Sequence, residues 1–325
     1  MANPPSKYLN PFTDYGFKKL FGEEPNKNLL LDFLNELLKD EQGKIVTLNY
    51  IKNEQLGSSD LDRKAIFDLY CENEAGERFI VELQKSKQRF FKDRTVYYST
   101  FPIRDQAPKN DWDYQLSAVY LIAILDFVFD EDQDQPEKYR YDVKLADIDT
   151  CKVFYDKLTF IYLEMPKFTK TLEQLETRFD KWLYVLRNLT EIEEIPEPLQ
   201  EQVFEQLFET AEIARFNREQ MRSYEDSLKY YRDLKNSMDT ARDEGIEIGR
   251  EEGIEIGREE GIEIGREEGI EIGREEGIEI GREEGIDVGI KAVALALLQE
   301  GISEAVILKT TGLTAEQLAQ LRRET

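Results

Sequence analysis

No histidine occurs among the 325 residues of this chain. That absence excludes Ser-His-Asp and Cys-His nucleophilic pairs, His-ligated zinc and imidazole acid–base catalysis. Cysteine is nearly absent too. Cys71 and Cys151 are the only two, 80 positions apart, too few for a four-thiolate zinc site or a disulfide framework. Long apolar runs are missing as well. The longest, Val119 to Phe129, contains Asp126 and is far too short to span a bilayer. Residues 1–7 contain no apolar stretch of the secretory type, so the expectation is a soluble, cytoplasmic protein with no membrane association. Any chemistry must come from carboxylates, amides, Lys, Arg, Tyr, Ser or Thr.

Positive charge is in short supply: 43 Lys and Arg stand against 68 Asp and Glu, a net charge of −25. Such a balance ordinarily argues against nucleic acid as a partner. The excess is uneven, however. Residues 245–284 hold 15 acidic and 5 basic side chains, 10 of the 25 excess charges, so the total says little about any one surface. Between Lys85 and Arg94 the sign reverses, with Lys85, Lys87, Arg89, Lys92 and Arg94 against Asp93 alone. Taken by itself such a run reads as a solvated helix face.

Hydrophobic residues make up 40% of the chain, enough for a packed core. Helical spacing of Leu30, Phe33, Leu34, Leu37 and Leu38 predicts a helix over 26–39. A strand is expected over 45–51, and Gly57-Ser58-Ser59-Asp60 reads as a break. Ile66 to Cys71 and Arg78 to Gln84 are β-type runs joined by Asn73-Glu74-Ala75-Gly76-Glu77, a hairpin loop. Helix follows over 85–100, then a strand at Val119 to Phe129, apolar enough to be buried on both faces. Another strand is expected at 158–163 and a helix at 171–189. Strands mixed with helices give an α/β sheet domain over roughly 1–190. Pro196 and Pro198 open a charged helical extension over 191–243.

From Gly245 the octad Gly-Ile-Glu-Ile-Gly-Arg-Glu-Glu recurs five times without a mismatch, and an altered sixth copy follows, so the repeat segment is 244–289. Glycine at every fourth position costs a helix about 1 kcal/mol each against alanine. The segment is readable as an oligomerisation or linker helix supported by self-association, as a flexible spacer, as a ligand-binding array, or as a strand. Four residues turn a helix by about 400°, so the glycine stripe drifts by about 40° per step and offers no long straight seam. The tail, 290–325, has three short helical stretches. Ser303 and Thr314 stand where N-caps belong, and Thr314 with Gln317 fits a capping box. This resembles a helix-turn-helix, although Arg322 and Arg323 lie at the far end of the last helix, away from where DNA readers place contacts. Packing or homo-oligomerisation is the competing role for this C-terminal helical region.

The hairpin carries the chemistry. With its loop centred on Ala75, facing residues sum to 150, so Asp68 lies across from Glu82, and Asp68, Glu82 and Gln84 share one face. Two carboxylates opposed on a sheet repel and need a proton, a cation or full exposure. Mg²⁺, commonly held by one or two carboxylates with waters and phosphate oxygens, is an economical answer; an exposed polar hairpin face is the plain alternative. Basic side chains directly after Gln84 favour phosphodiester chemistry, in which a metal activates water and Arg or Lys hold flanking phosphates.

Asp68, a hairpin and Glu82-Leu83-Gln84 resemble the core of the PD-(D/E)XK nuclease superfamily. More narrowly, the chain resembles the recombination-promoting nuclease/transposase (Rpn) family. The resemblance also rests on Thr13 through Gly22, Arg94 through Tyr98, Tyr120 to Phe127, and Leu163-Glu164-Met165-Pro166-Lys167-Phe168. It implies a restriction-endonuclease-like mixed sheet flanked by helices, with a helical C-terminal extension, and Mg²⁺-dependent cleavage of DNA linked to recombination or mobile elements. Asp68 and Glu82 would be the metal ligands. The superfamily lysine is replaced by Gln84, which can orient water but carries no charge. Lys85 points to the other face of the strand, so Lys87 or Arg94 is the expected substitute charge, with Arg89 a further contact to the DNA backbone. Asp14 and Lys18 are weaker active-site candidates, Asp14 being equally readable as a helix N-cap. Phe17 and Phe21 read as core, and Tyr97-Tyr98 as packing, with substrate stacking the alternative. The alternative is a catalytically inactive relative acting as an oligomeric DNA-associated scaffold; RNA cleavage shares the same site.

Overall fold

The computed structural model describes residues 6–41, 43–52, 54–55, 65–107 and 113–323; the break expected at 57–60 lies outside them. Its contacts divide the chain into two compact units, Met1–Asp239 and Thr240–Thr325. No helix among the described residues is long and apolar enough to cross a membrane.

A six-stranded mixed sheet organises the first unit. Its strands are β1 (Leu48–Tyr50), β4 (Leu69–Asn73), β5 (Arg78–Gln84), β6 (Val119–Leu125), β8 (Val153–Glu164) and β7 (Arg140–Ala146), in that spatial order. β5, β6 and β8 run parallel, and the remaining neighbours are antiparallel. A small second ladder pairs β2 (Glu54–Gln55) with β3 (Ala65–Ile66). Every residue of β6 is buried, as its unbroken apolar run requires of a central parallel strand.

The helices α1 (Asp14–Phe21), α2 (Lys27–Leu37), α4 (Arg178–Asn188) and α5 (Gln202–Ala211) share one core with Leu69, Val81 and Ile122 from one sheet face. Trp182 lies fully buried there, with Phe21, Phe33 and Phe204 around it. α3 (Phe91–Arg104) covers the opposite face, where Phe91 and Phe101 pack with Tyr70, Ile80 and Leu121.

Two expectations need correction, and one strand was not anticipated. The strand expected over 66–71 is interrupted at Phe67 and Asp68, which form a bend between β3 and β4. The helix expected from Lys85 begins only at Phe91, so Lys87 and Arg89 lie in the connection before it. β7 carries no apolar run to betray it: it is an edge strand in which charged residues alternate with apolar ones, and Val143 and Leu145 are exposed.

A single helix, α6 (Arg218–Gln299), crosses the repeat. The second unit ends in α7 (Glu304–Thr311) and α8 (Ala315–Leu321), which bury Ile307, Leu313 and Leu318 with Ala294. The capping box is present: Gln317 N donates to Thr314 Oγ1, and Thr314 N donates to Gln317 Oε1 at 2.8 Å. Ser303 is at the N-cap position without a side-chain cap bond. Gly312 ends α7 at φ +72°, a conformation suited to glycine.

Candidate active site

The hairpin register is the one that sets the site. Leu69 pairs with Val81, Tyr70 with Ile80 and Cys71 with Phe79, so facing residues sum to 150 and Asp68 comes opposite Glu82. The loop is closed by Asn73 Oδ1, which accepts from Ala75 N and Glu77 N, and by Gly76 at φ +75°.

Across the two strands the carboxylates interlock. Asp68 Oδ2 accepts from Leu83 N at 2.8 Å, while Glu82 Oε1 accepts from Asp68 N at 3.2 Å. Each carboxylate therefore commits one oxygen to the backbone of the other strand. Glu82 is buried and Asp68 half-buried. Burial, reinforced by the neighbouring charge of Asp68, pushes the Glu82 carboxyl up to about 8. Burial also raises Asp68, against the opposing effects of the Leu83 N–H and Lys18. Burial and mutual repulsion disfavour two ionised carboxylates side by side, a state that a bound cation relieves.

Among the described residues, three cations act on the pair. The exposed Lys18 on α1 favours ionisation of both carboxylates. Lys85 pairs with Asp14 at 2.6 Å, lies 5.5 Å from the Tyr230 ring, and favours ionised Asp68. Because β5 ends at Gln84, strand alternation does not exile Lys85 as the sequence suggested. Arg94, from α3, favours ionised Glu82. It donates through Nη2 to Gln84 Oε1 and through Nη1 to Gln88 Oε1 at 2.6 Å. Its guanidinium lies 4.8 Å from the Phe91 ring and 5.6 Å from that of Tyr98, and its buried Nε has no hydrogen-bond partner.

Gln84 is thus held at both ends, since its Nε2 also donates to Ser86 O at 2.6 Å. Lys87 pairs instead with Asp130, and Lys92 with Glu131 at 2.6 Å. Glu164 and Lys167 hold the acidic turn that meets these lysines. Glu164 Oε1 accepts from Phe129 N at 2.8 Å, Lys167 Nζ donates to Asp132 O at 2.6 Å, and the two side chains pair at 2.7 Å. Arg89 is exposed over the Phe90 ring, 5.3 Å from its centre.

Asp14 is not an N-cap. Thr13 is, its Oγ1 accepting from Gly16 N at 3.0 Å. A Cβ at Gly16 would come within 2.2 Å of Asn10 O, which explains the glycine in this turn. Phe17 and Phe21 are core, as expected. Tyr98, read as packing, does pack on Phe67 at 5.2 Å. It is also close enough to Glu82 and Asp68 that their charges add to burial in raising its hydroxyl pKa. From sequence, only the stacking alternative places Tyr98 near the site, although its i, i+4 spacing from Arg94 signals a shared helix face.

The family model described as a PD-(D/E)XK nuclease family transposase matches residues 11–241. The chain belongs to this family. A second model, the C-terminal HTH domain of the Rpn/YhgA-like nuclease family, matches residues 291–323 of the same PD-(D/E)XK chain. No curated protein and no solved structure matches significantly.

Members of the PD-(D/E)XK family typically use divalent metal ions, and the carboxylate pair fits one. Among the described residues no three Asp, Glu or Cys side chains form a metal-holding group. That suits an oxygen-loving ion held by two carboxylates with waters and phosphate oxygens, rather than a closed protein cage.

Proposed function

We propose that this chain is an Mg²⁺-dependent endonuclease that hydrolyses phosphodiester bonds of DNA in the cytoplasm, during recombination or transposition of mobile DNA. The interlocked carboxylates Asp68 and Glu82, set side by side within a nuclease-family domain, carry the reading. Asp68 and Glu82 would hold the ion, which when bound supplies Lewis acidity towards water and phosphate oxygen. Arg94 takes over the charge of the missing lysine. Gln84 anchors its guanidinium beside Glu82 and so acts as a positioning residue. Lys18 and Lys85 add positive charge near Asp68, the sign that a phosphate backbone requires. Lys87, tied to Asp130, is a weaker backbone contact than Arg94, and exposed Arg89 is available at the rim. The helix-turn-helix tail supports DNA as the partner.

Incubation of plasmid DNA with the full chain and Mg²⁺ tests the reading. Cleavage is expected from the wild type and not from Asp68→Ala or Glu82→Ala; activity surviving both substitutions overturns it. The glutamine in the lysine position favours a second reading, a silent DNA-associated scaffold, for which the wild type would neither cleave DNA nor bind Mg²⁺ through these carboxylates.

A further inference from the structure

The repeat in α6 poses a physical problem that the nuclease reading leaves untouched. Twelve glycines recur at every fourth position from Gly245 to Gly289, and a Cβ added at any of them would meet nothing within 4 Å. Ile246, Ile248 and their eight counterparts in the perfect copies are each 55–62% exposed. A helix so rich in glycine and so apolar on its surface is poorly supported alone in water.

Its pattern is nevertheless ordered. Measured at four residues per turn, the octad separates into four ribbons. Glycine forms one ribbon, and glutamate (Glu247, Glu251) forms the ribbon opposite. One flank of the glycines alternates Ile246 with Arg250, and the other alternates Ile248 with Glu252. Because four residues exceed the 3.6 of an α-helix, these ribbons advance about 10° per residue and wind right-handedly once in about 36 residues, or about 54 Å. The five perfect copies span about 60 Å, roughly one full turn of ribbon.

We propose that the glycine ribbon is a pairing surface for a second copy of this chain, and that the two helices run parallel and wind right-handedly. At a helix separation of about 8 Å, following such a ribbon tilts each helix by about 25°. The resulting crossing of about 50° is close to that of right-handed helix pairs built on small residues at four-residue spacing, about 40°. Charge selects the direction. In a parallel pair the two-fold axis sets the Ile246/Arg250 flank of one chain beside the Ile248/Glu252 flank of the other, so each arginine lies two residues, about 3 Å in height, from a partner isoleucine and from a partner glutamate, and no like charges face one another. Antiparallel pairing sets each flank beside its own copy, so arginine can meet only arginine or isoleucine, glutamate only glutamate or isoleucine, and no register brings opposite charges together. The glutamate ribbon stays in solvent. A ribbon about 60 Å long and about 11 Å wide covers about 650 Å² per chain, comparable with the ~800 Å² of an ordinary stable interface.

Analytical ultracentrifugation of the full chain provides the first test. A dimer mass is expected at micromolar concentration. The triple substitution Gly257→Lys, Gly265→Lys, Gly273→Lys raises helix propensity while blocking close approach, so a dissociation constant at least 100-fold weaker is expected with helical circular dichroism retained. A monomeric wild type at 100 μM, a larger assembly, or a dimer unaffected by the triple substitution overturns the pairing. Direction is read by oxidation in a Cys151→Ser background. Gly249→Cys and Gly281→Cys should each cross-link to itself; cross-linking confined to a mixture of the two overturns the parallel arrangement.

Discussion

Replacing Glu82 by glutamine should change how folding stability depends on pH, in a direction fixed by the site. The Glu82 carboxyl titrates near 4.5 when unperturbed and is pushed up to about 8 in the fold by burial and by Asp68. The folded state therefore holds a proton that the unfolded state releases between those values. In the metal-free protein this contribution is complete below pH 4.5 and is lost as pH rises towards 8. One proton gives a slope of at most about 1.4 kcal/mol per pH unit, with a ceiling of about 5 kcal/mol across the window. Glu82→Gln keeps an acceptor for Asp68 N but cannot ionise, so its stability should fall less steeply and overtake the wild type towards pH 8. Urea unfolding in EDTA from pH 5 to 8.5, followed by fluorescence of buried Trp182, measures the difference. Adding Mg²⁺ should flatten the wild-type profile and leave Glu82→Gln unmoved. Profiles that stay parallel over the whole range refute a Glu82 carboxyl raised by its surroundings.

Arg94→Ala should reduce cleavage about 100-fold, and Arg94→Lys should recover part of it. In the Arg94→Ala background, Gln84→Lys should restore activity by placing a cation directly after Glu82; single-turnover rates decide, and a double variant no better than Arg94→Ala contradicts the role given to the guanidinium. Lys87→Ala should weaken duplex binding less than Lys18→Ala, because Asp130 already occupies Lys87; fluorescence anisotropy at two salt concentrations compares them. Asp180 is buried, pairs with Lys170 at 2.8 Å and caps α4 through Thr177 N, so Asp180→Ala should cost about 3 kcal/mol in urea unfolding. A loss below about 1 kcal/mol would show that the pair is dispensable.

What the sequence reveals here follows the physics of each element. The hairpin register was readable because a glycine-containing loop and alternating side chains fix pairing locally, and that register brings Asp68 and Glu82 together. β6 was readable because burial on both faces leaves an unbroken apolar run. β7 was not, since an edge strand can alternate polar and apolar residues without a distinctive signal. Lys85 was assigned away from the site by extending strand alternation one residue beyond the strand's end. Pairing of Lys87 with Asp130 depends on a turn tethered through Glu164 and Lys167, residues more than 75 positions downstream of Lys87, and no local pattern encodes it.

Cation binding by the two interlocked carboxylates is the property on which the proposed nuclease activity depends most directly. Electron paramagnetic resonance can count bound Mn²⁺, a visible substitute for Mg²⁺, on the full chain with a phosphorothioate duplex that resists cleavage. The wild type should bind Mn²⁺ at the site, and Asp68→Asn and Glu82→Gln should each abolish that signal while the duplex stays bound. Equal Mn²⁺ occupancy in the wild type and both variants would contradict it.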